Sequence, residues 1–101
     1  MKVREMKELL AGLKSEGKID GQKVEFVLDT KKYFASNVKA GANTMTLEIT
    51  RENYHPLSLE SFESNLDLAG GDLEIQVVQG KNAKTITESY LTDSALELVL
   101  G

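Results

Sequence analysis

The sequence predicts an α+β domain in which helices cover one side of an antiparallel sheet. Three observations support this prediction. Apolar residues recur at helical spacing near the N-terminus, they alternate with polar residues in several later segments, and short polar or glycine-containing stretches separate those segments. A chain of 101 residues also has the length of one compact domain.

The first predicted element is an amphipathic helix. Val3, Met6, Leu10 and Leu13 fall on one helical face, while charged residues occupy the opposite face. Gly17 is placed to end the helix, because glycine readily adopts the left-handed conformation that follows many helices. The apolar face is therefore predicted to pack on the sheet.

Three strands are predicted after this helix. They cover residues 23–28, 33–39 and 44–50, and the first and third show the period-two alternation of a half-buried strand. A polar turn separates the first strand from the second, which predicts a hairpin. In the second strand, Phe34 and Val38 are the predicted core contacts.

A second helix is predicted after Pro56, where the strand pattern breaks. Ser58 is a suitable N-cap, and the apolar residues that follow it have helical spacing, which favours a helix over residues 59–66. The alternative is a strand through Leu57 and Leu59, because some apolar residues of this segment also alternate. Three further strands are then predicted, over residues 73–78, 85–91 and 95–100.

The two halves of the chain share one order of predicted elements, which indicates an internal repeat. Residues 24–26 align with residues 73–75 at an offset of 49, the second strands align at 52 and the helices align at 56. The alternative is chance, since helices and hairpins are common. We predict two αβββ units packed as a pseudo-repeat within one compact domain, with boundaries 1–51 and 56–101 for the units and 1–101 for the domain. One continuous six-stranded sheet and two facing three-stranded sheets are both compatible with this pattern.

Several segments resemble a family of small uncharacterised proteins from phages, prophages and mobile elements. Residues 2–10 match its opening helix of the type Lys-Val-x-Glu-Leu-x-x-Leu-Leu, and residues 23–27 match its Val-Glu-Val-like strand. Residues 73–78, 86–91 and 96–100 resemble the strand and closing hairpin of the same family. That family has no activity to transfer, so the resemblance implies a bacterial mobile element as the setting and not a particular function.

Charge is distributed unevenly along the chain. The net charge is −4, with +3 on residues 1–39 and −7 on the remainder. This asymmetry either attracts a charged partner or only keeps different faces soluble. Nucleic acid is an unlikely partner, because the net charge is negative and no block of Lys and Arg is interleaved with aromatic residues.

The sequence offers little chemistry for catalysis. It has no cysteine and one histidine, His55, which lies beside Pro56 with nothing near it in sequence that orients it as a general base. The fold could bring Ser58 or Ser61 close to it, but a histidine beside proline is more often a linker residue. Asp67 and Asp72 lack the ligand spacing of a calcium loop and are explained by capping and turn formation. We therefore assign no catalytic, cofactor-binding or metal-binding residue. The chain also lacks a membrane-spanning apolar run and a signal peptide, so the expected location is the cytoplasm.

Five residues are the candidates for an interaction surface. Glu74, Glu88 and Glu97 alternate with core residues and are predicted on the outer face of the second sheet. This acidic row is either a solvated face that discourages edge pairing or a surface for a basic partner. Tyr33 and Tyr54 are included because tyrosine is enriched among residues that anchor interfaces.

These features favour a small non-enzymatic interaction protein of phage or mobile-element origin. It would occupy a surface of a host or viral protein, for example as an inhibitor of a bacterial defence protein. The alternative is a small-ligand binder that holds a nucleotide or metabolite in a cleft between the repeats or between subunits. Exposed sheet edges are also compatible with a homodimer.

Overall fold

Two helices pack on one curled sheet of seven strands in the computed structural model, which describes residues 1–52 and 57–101. The strand order in the sheet is β5-β4-β3-β2-β1-β7-β6. The elements in chain order are α1 (Val3–Ser15), β1 (Lys23–Leu28), β2 (Lys31–Ala40), β3 (Thr44–Thr50), α2 (Leu59–Leu68), β4 (Glu74–Gln79), β5 (Asn82–Lys84), β6 (Ile86–Leu91) and β7 (Ala95–Leu100).

The sheet is mixed, which corrects the prediction of an antiparallel sheet. β1 runs parallel to β7, and β3 runs parallel to β4, whereas the other neighbouring strands are antiparallel. The reason for one parallel pair is helix α2, which forms the crossover from β3 to β4 and returns the chain to the end where β3 began. The other parallel pair brings the first and last strands of the chain together.

The sheet curls because one continuous stretch of chain joins both of its ends. β5 and β6 lie at opposite ends of the strand order, yet only Thr85 separates them in sequence. β5 pairs with β4, and β6 pairs with β7. The long strand β2 behaves similarly, since its start pairs with β1 and its later part pairs with β3.

The core fills the space between the helices and the concave face of the sheet. α1 and α2 each bury three apolar side chains, and alternate residues of β1, β3, β4 and β7 point inward. Each such side chain contributes roughly 1.5–3 kcal/mol when it is fully buried. The buried helix residues are Val3, Met6 and Leu10 of α1 and Leu59, Phe62 and Leu66 of α2.

Local signals for the helices are confirmed. Gly17 has a φ of 70° just after α1, as its role in ending the helix requires. Ser58 caps α2, because its Oγ accepts a hydrogen bond from the Ser61 N–H at 3.0 Å. Residues 59–68 form a helix, so the alternative of a strand in this segment is wrong.

The predicted core contacts of the second strand need one correction. Tyr33 is 7% exposed and points inward, whereas Phe34 lies on the outer face. The prediction is one residue out of phase, and a shift of one residue turns every side chain of a strand to the other face. A bulge between Ala35 and Asn37 then changes the phase, so Val38 packs against the core as predicted.

Strand pairings in the second half recur 51 residues after those of the first. Phe26 pairs with Tyr33 as Val77 pairs with Lys84. The bulge in β2 also has a counterpart at the start of β6, at the same displacement. The predicted strand offsets of 49 and 52 are therefore replaced by one value, and no insertion separates the two sets of strands.

The two halves exchange their N-terminal segments. The Ile75 N–H donates to the Met1 carbonyl at 2.8 Å, and the Val24 N–H donates to the Leu57 carbonyl at the same distance. The segment before each helix thus pairs with the first strand of the other half. Together with the parallel pairs β1–β7 and β3–β4, these bonds leave neither half with a complete sheet of its own.

Candidate interaction surface

The outer edge of β6 is an exposed part of the sheet that carries the predicted site residue Glu88. Within residues 1–52 and 57–101, β6 has a single strand partner, β7. Thr87, Glu88 and Tyr90 are exposed. The Thr92 N–H donates to the Ala95 carbonyl at 2.8 Å, which fixes the alternation of backbone groups along this hairpin.

This alternation shows which backbone groups of β6 are free to pair with another strand. The backbone groups of Tyr90 and Glu88 point toward β7, because these residues lie two and four positions before Thr92, respectively. Those of Ser89 and Leu91 consequently point away from β7. Their side chains lie on the inner face, while Glu88 and Tyr90 lie on the outer face. The edge therefore offers backbone donors and acceptors beside an acidic and aromatic surface.

A cleft of about 770 Å³ runs beside the end of β6. One wall is the last part of β6 with the following turn, and the other is the end of α1 with the loop that follows it. Its volume is within the range of small-molecule pockets. The lining residues are Leu13, Gly17, Lys18, Asp20, Gln22, Ser89, Tyr90, Leu91, Thr92 and Asp93.

Gln22 holds the loop wall of this cleft in place. It is the one buried polar side chain among the residues described, with 3% exposure. Its Oε1 accepts from the Asp20 N–H at 2.6 Å, and its Nε2 donates to the Lys18 carbonyl at 2.9 Å and to the Thr92 carbonyl at 3.4 Å. One amide thus closes the loop on itself and ties it to the β6–β7 turn. Sequence reasoning missed Gln22, because nothing local shows that the residue before β1 is buried.

Glu88 and Tyr90 form a hydrogen-bonded pair on the outer face of β6. The Tyr90 hydroxyl donates to Glu88 Oε2 at 2.6 Å. This hydrogen bond and the negative charge of Glu88 raise the pKa of Tyr90 above its ordinary value, because both favour the protonated phenol. The tyrosine remains 53% exposed, so its ring is accessible to a partner.

Glu97 and Glu25 extend the acidic surface across β7 and β1. They lie side by side in the parallel register of these strands. Lys32 Nζ is 3.2 Å from Glu25 Oε1 and 4.0 Å from Glu97 Oε2. The shorter contact is an ion pair without hydrogen-bond geometry, and Glu25 Oε1 is shielded from solvent. Sequence reasoning missed Glu25, since only the parallel pairing of β1 with β7 places it here.

The other predicted site residues do not join this surface. Glu74 is on β4, where its Oε2 lies 3.4 Å from the Met1 amino group. Tyr33 is a core residue, whose hydroxyl accepts from Gln79 Nε2 at 3.2 Å and whose ring faces the Arg51 guanidinium at 5.4 Å. Tyr54 and His55 lie outside the described residues. The structure therefore brings together Glu88 and Glu97 of the five predicted residues.

Much of the charge asymmetry of the sequence is matched within the fold. α1 is lined with basic side chains that reach acidic side chains of α2 and of the loop after it. All of these groups are at least partly exposed, so each pair contributes at most about 1 kcal/mol. The pairs are Arg4–Asp72 at 2.8 Å, Lys7–Asp67 at 3.2 Å and Lys14–Glu63 at 3.4 Å.

Comparison of the chain with protein-family models, with curated proteins and with solved structures finds no match. No helix in the described part of the chain is long and apolar enough to cross a membrane. Across the same residues, no group of three or more His, Cys, Asp or Glu side chains is arranged to hold a metal ion.

Proposed function

We propose that this chain is a small non-enzymatic interaction module that acts by occupying a surface of a protein partner. The observation that carries the proposal is the open, exposed edge of β6, flanked by a cleft and by carboxylates on neighbouring strands. An unpaired strand edge is a template for pairing with another chain, and proteins without a partner for it usually cover it. The sparse catalytic side chains of the sequence support a non-enzymatic role.

The proposed setting is the cytoplasm of a bacterium that carries a phage or another mobile element. The resemblance of residues 2–10 and 23–27 to small proteins of such elements supports this setting. A mobile element benefits when a host defence protein is blocked. We therefore propose inhibition of a bacterial defence protein as the specific function. The net charge of −4 favours a protein partner over nucleic acid.

We also propose that the chain arose as two αβββ units, residues 1–51 and 56–101, that fold as one domain. The recurrence of strand pairings at a displacement of 51 residues supports this pseudo-repeat. The exchanged N-terminal segments support a single folding unit, because each half completes the sheet of the other. On this view, the two halves began alike, and differences between them indicate where function was added.

Quantitative capture from bacterial lysate tests the interaction function. The full chain is immobilised, and retained proteins are identified by mass spectrometry, with an unrelated acidic protein of similar size as the control. We expect one host or phage protein to be retained at a fixed molar ratio to the bait and to elute with it as a complex in size-exclusion chromatography. Capture of no protein at a fixed ratio would contradict the proposal.

A small-ligand binder is the second candidate function. The cleft beside Gln22 favours it, because the cleft lies between a loop of the first half and a strand of the second. A ligand at about 100 times its dissociation constant would raise the free energy of unfolding by roughly 2.7 kcal/mol. Thermal shift against a panel of nucleotides and metabolites measures this directly, and an unchanged melting temperature across the panel excludes it.

A further inference from the structure

We infer that the partner docks as an extended strand that adds to the outer edge of β6 and carries cationic side chains at alternate positions. This inference rests on the proposed interaction function and specifies the chemistry of the partner. It combines the free backbone groups of β6, the room beside that strand and the charge of the side chains around it.

Ser89 and Leu91 carry the free backbone groups of β6. Their N–H and carbonyl groups point away from β7, and among the residues described no backbone hydrogen bond reaches them from another element. Both residues line the cleft, so the space for an incoming strand lies along the edge where these groups are free. An extended peptide that pairs there gains main-chain hydrogen bonds, as in other cases of strand addition to a sheet edge.

The outer face of β6 presents a carboxylate and an aromatic ring to an added strand. A strand paired with β6 places alternate side chains beside Glu88 and Tyr90, because residues i and i+2 share a face. Glu97 lies directly across from Tyr90 on β7, with Lys32 Nζ 4.0 Å from its Oε2, so Glu88 is the carboxylate beside the added strand. Lys or Arg at these alternate positions would pair with Glu88, and one of them would lie over the exposed ring of Tyr90.

The cleft adds acid on its other side as well. Asp20 and Asp93 line it, and the one lysine there, Lys18, already lies 2.8 Å from Glu16 Oε2. A cationic strand is therefore favoured on both of its faces. An acidic strand would meet carboxylates of like sign, which destabilises cross-strand pairs.

A second copy of this chain is a poorer occupant. Pairing β6 with β6 of another copy would place no cation beside Glu88, because β6 contains no Lys or Arg. Of the other strand edges, β5 at the opposite end of the strand order has only three residues. The later part of β2, the segment 51 residues earlier, has Asn37 in place of Glu88, and its Lys39 forms an ion pair with Glu48 at 2.9 Å. That edge offers little free positive charge.

The first half has a longer helix and a longer loop than the second, and these residues form the cleft beside β6. α1 has 13 residues and α2 has 10, and the loop between α1 and β1 is seven residues long where that between α2 and β4 is five. The additional residues provide the cleft wall that faces β6. The corresponding part of the second half, α2 with the loop that follows it, is five residues shorter.

Binding of short synthetic peptides to the full chain tests this inference. A labelled octapeptide with Lys at alternate positions and Val or Thr between them is titrated by fluorescence anisotropy, beside the same peptide with Glu in place of Lys. We expect saturable binding of the lysine peptide that weakens as salt is added, and no saturation with the glutamate peptide. Equal binding of both peptides would overturn the charge argument.

Two N-methylated versions of the lysine peptide test backbone pairing. Methylation of every second amide removes the donors on one edge of a strand, and the two versions remove opposite edges. We expect one version to lose binding and the other to retain it, because only one edge of the added strand faces β6. Retention of binding by both versions would show that the peptide does not pair as a strand.

Variants of the chain locate the site. Glu88→Lys is expected to lower the affinity for the lysine peptide by at least about tenfold. Asn37→Lys, at the position 51 residues earlier, is expected to leave the affinity unchanged. Both positions are exposed, and circular dichroism checks that both variants fold. Equal weakening by the two variants, or self-association of the wild type that Glu88→Lys abolishes, would overturn the proposed site or occupant.

The same pair of variants separates this inference from the proposed function. If a lysate partner binds wild type and Glu88→Lys equally, the docking inference fails and the interaction function stands. If no lysate protein and no peptide binds, both fail. Loss of the lysate partner with Glu88→Lys and its retention with Asn37→Lys supports both.

Discussion

Gln22→Leu is expected to release the loop wall of the cleft while leaving the sheet intact. The substitution keeps nearly the same volume but removes the three hydrogen bonds of the Gln22 amide. Leucine is compatible with the backbone here, because Leu73 occupies the corresponding position of the second half. The Leu59 N–H donates to the Gln22 carbonyl at 2.9 Å, and the Val3 N–H donates to the Leu73 carbonyl at the same distance.

The magnitude follows from the geometry of the three bonds. The two to Asp20 and Lys18, at 2.6 and 2.9 Å, are each worth about 1 kcal/mol net, and the one to Thr92, at 3.4 Å, is worth less. The buried leucine side chain recovers part of this loss through its apolar surface. We therefore expect the free energy of unfolding to fall by about 1–2 kcal/mol, which corresponds to roughly 0.5–1 M in the urea midpoint.

Two measurements check this prediction. Urea denaturation followed by circular dichroism gives the midpoint, and hydrogen exchange gives the protection of the Asp20 amide, which we expect to be lost. Leu73→Ile, a change of similar volume in the second half, serves as the control and should leave Asp20 protected. If Gln22→Leu changes neither the midpoint nor the exchange of Asp20, the amide does not hold this loop and the reasoning is wrong.

Three further predictions concern charge and backbone strain. Lys7→Glu should lower the free energy of unfolding by about 0.5–1 kcal/mol at low salt, and adding Asp67→Lys should restore it, as measured by urea denaturation of the single and double variants. Glu88→Gln should lower the pKa of Tyr90 toward its ordinary value in an ultraviolet titration; the present pair stabilises the fold below pH about 10 and loses that effect as pH rises through the raised pKa. Thr30 has a φ of 66°, so Thr30→Gly should raise the melting temperature by relieving about 1 kcal/mol of strain, and no change would contradict this.

The sequence predicts every described element of the fold except β5, because the others have a local signal and the three residues of β5 are too few to show an alternation. The alternation of residues 44–50 predicts β3 at its observed bounds, and Ser58 predicts the start of α2. Register is different, because a shift of two residues leaves every side chain of a strand on the same face. The predicted offset of 49 and the observed offset of 51 differ by such a shift. The prediction equates Val24 with Leu73, whereas the strand pairings equate Val24 with Ile75.

The interaction surface could be predicted only where its residues share one hairpin. Glu88 and Glu97 lie on β6 and β7, which a short turn connects, so alternation alone brings them to one face. Glu25 lies beside Glu97 because β1 pairs in parallel with β7. These strands are far apart in sequence, and no local pattern encodes their pairing. Gln22 depends on the same closure, since its bond to Thr92 exists only when β1 lies beside β7.

Net charge along the sequence is a poor guide to which surface meets a partner. The basic side chains of α1 form ion pairs with acidic groups of α2 and its following loop. Part of the +3 charge of residues 1–39 is therefore neutralised by part of the −7 charge of the remainder. On β6 the balance is different, because Glu88 bonds to a neutral tyrosine and has no cation in ion-pair contact among the residues described. The charge of Glu88 is therefore available to a partner at this edge, whereas a helix residue such as Lys7 already has a counterion.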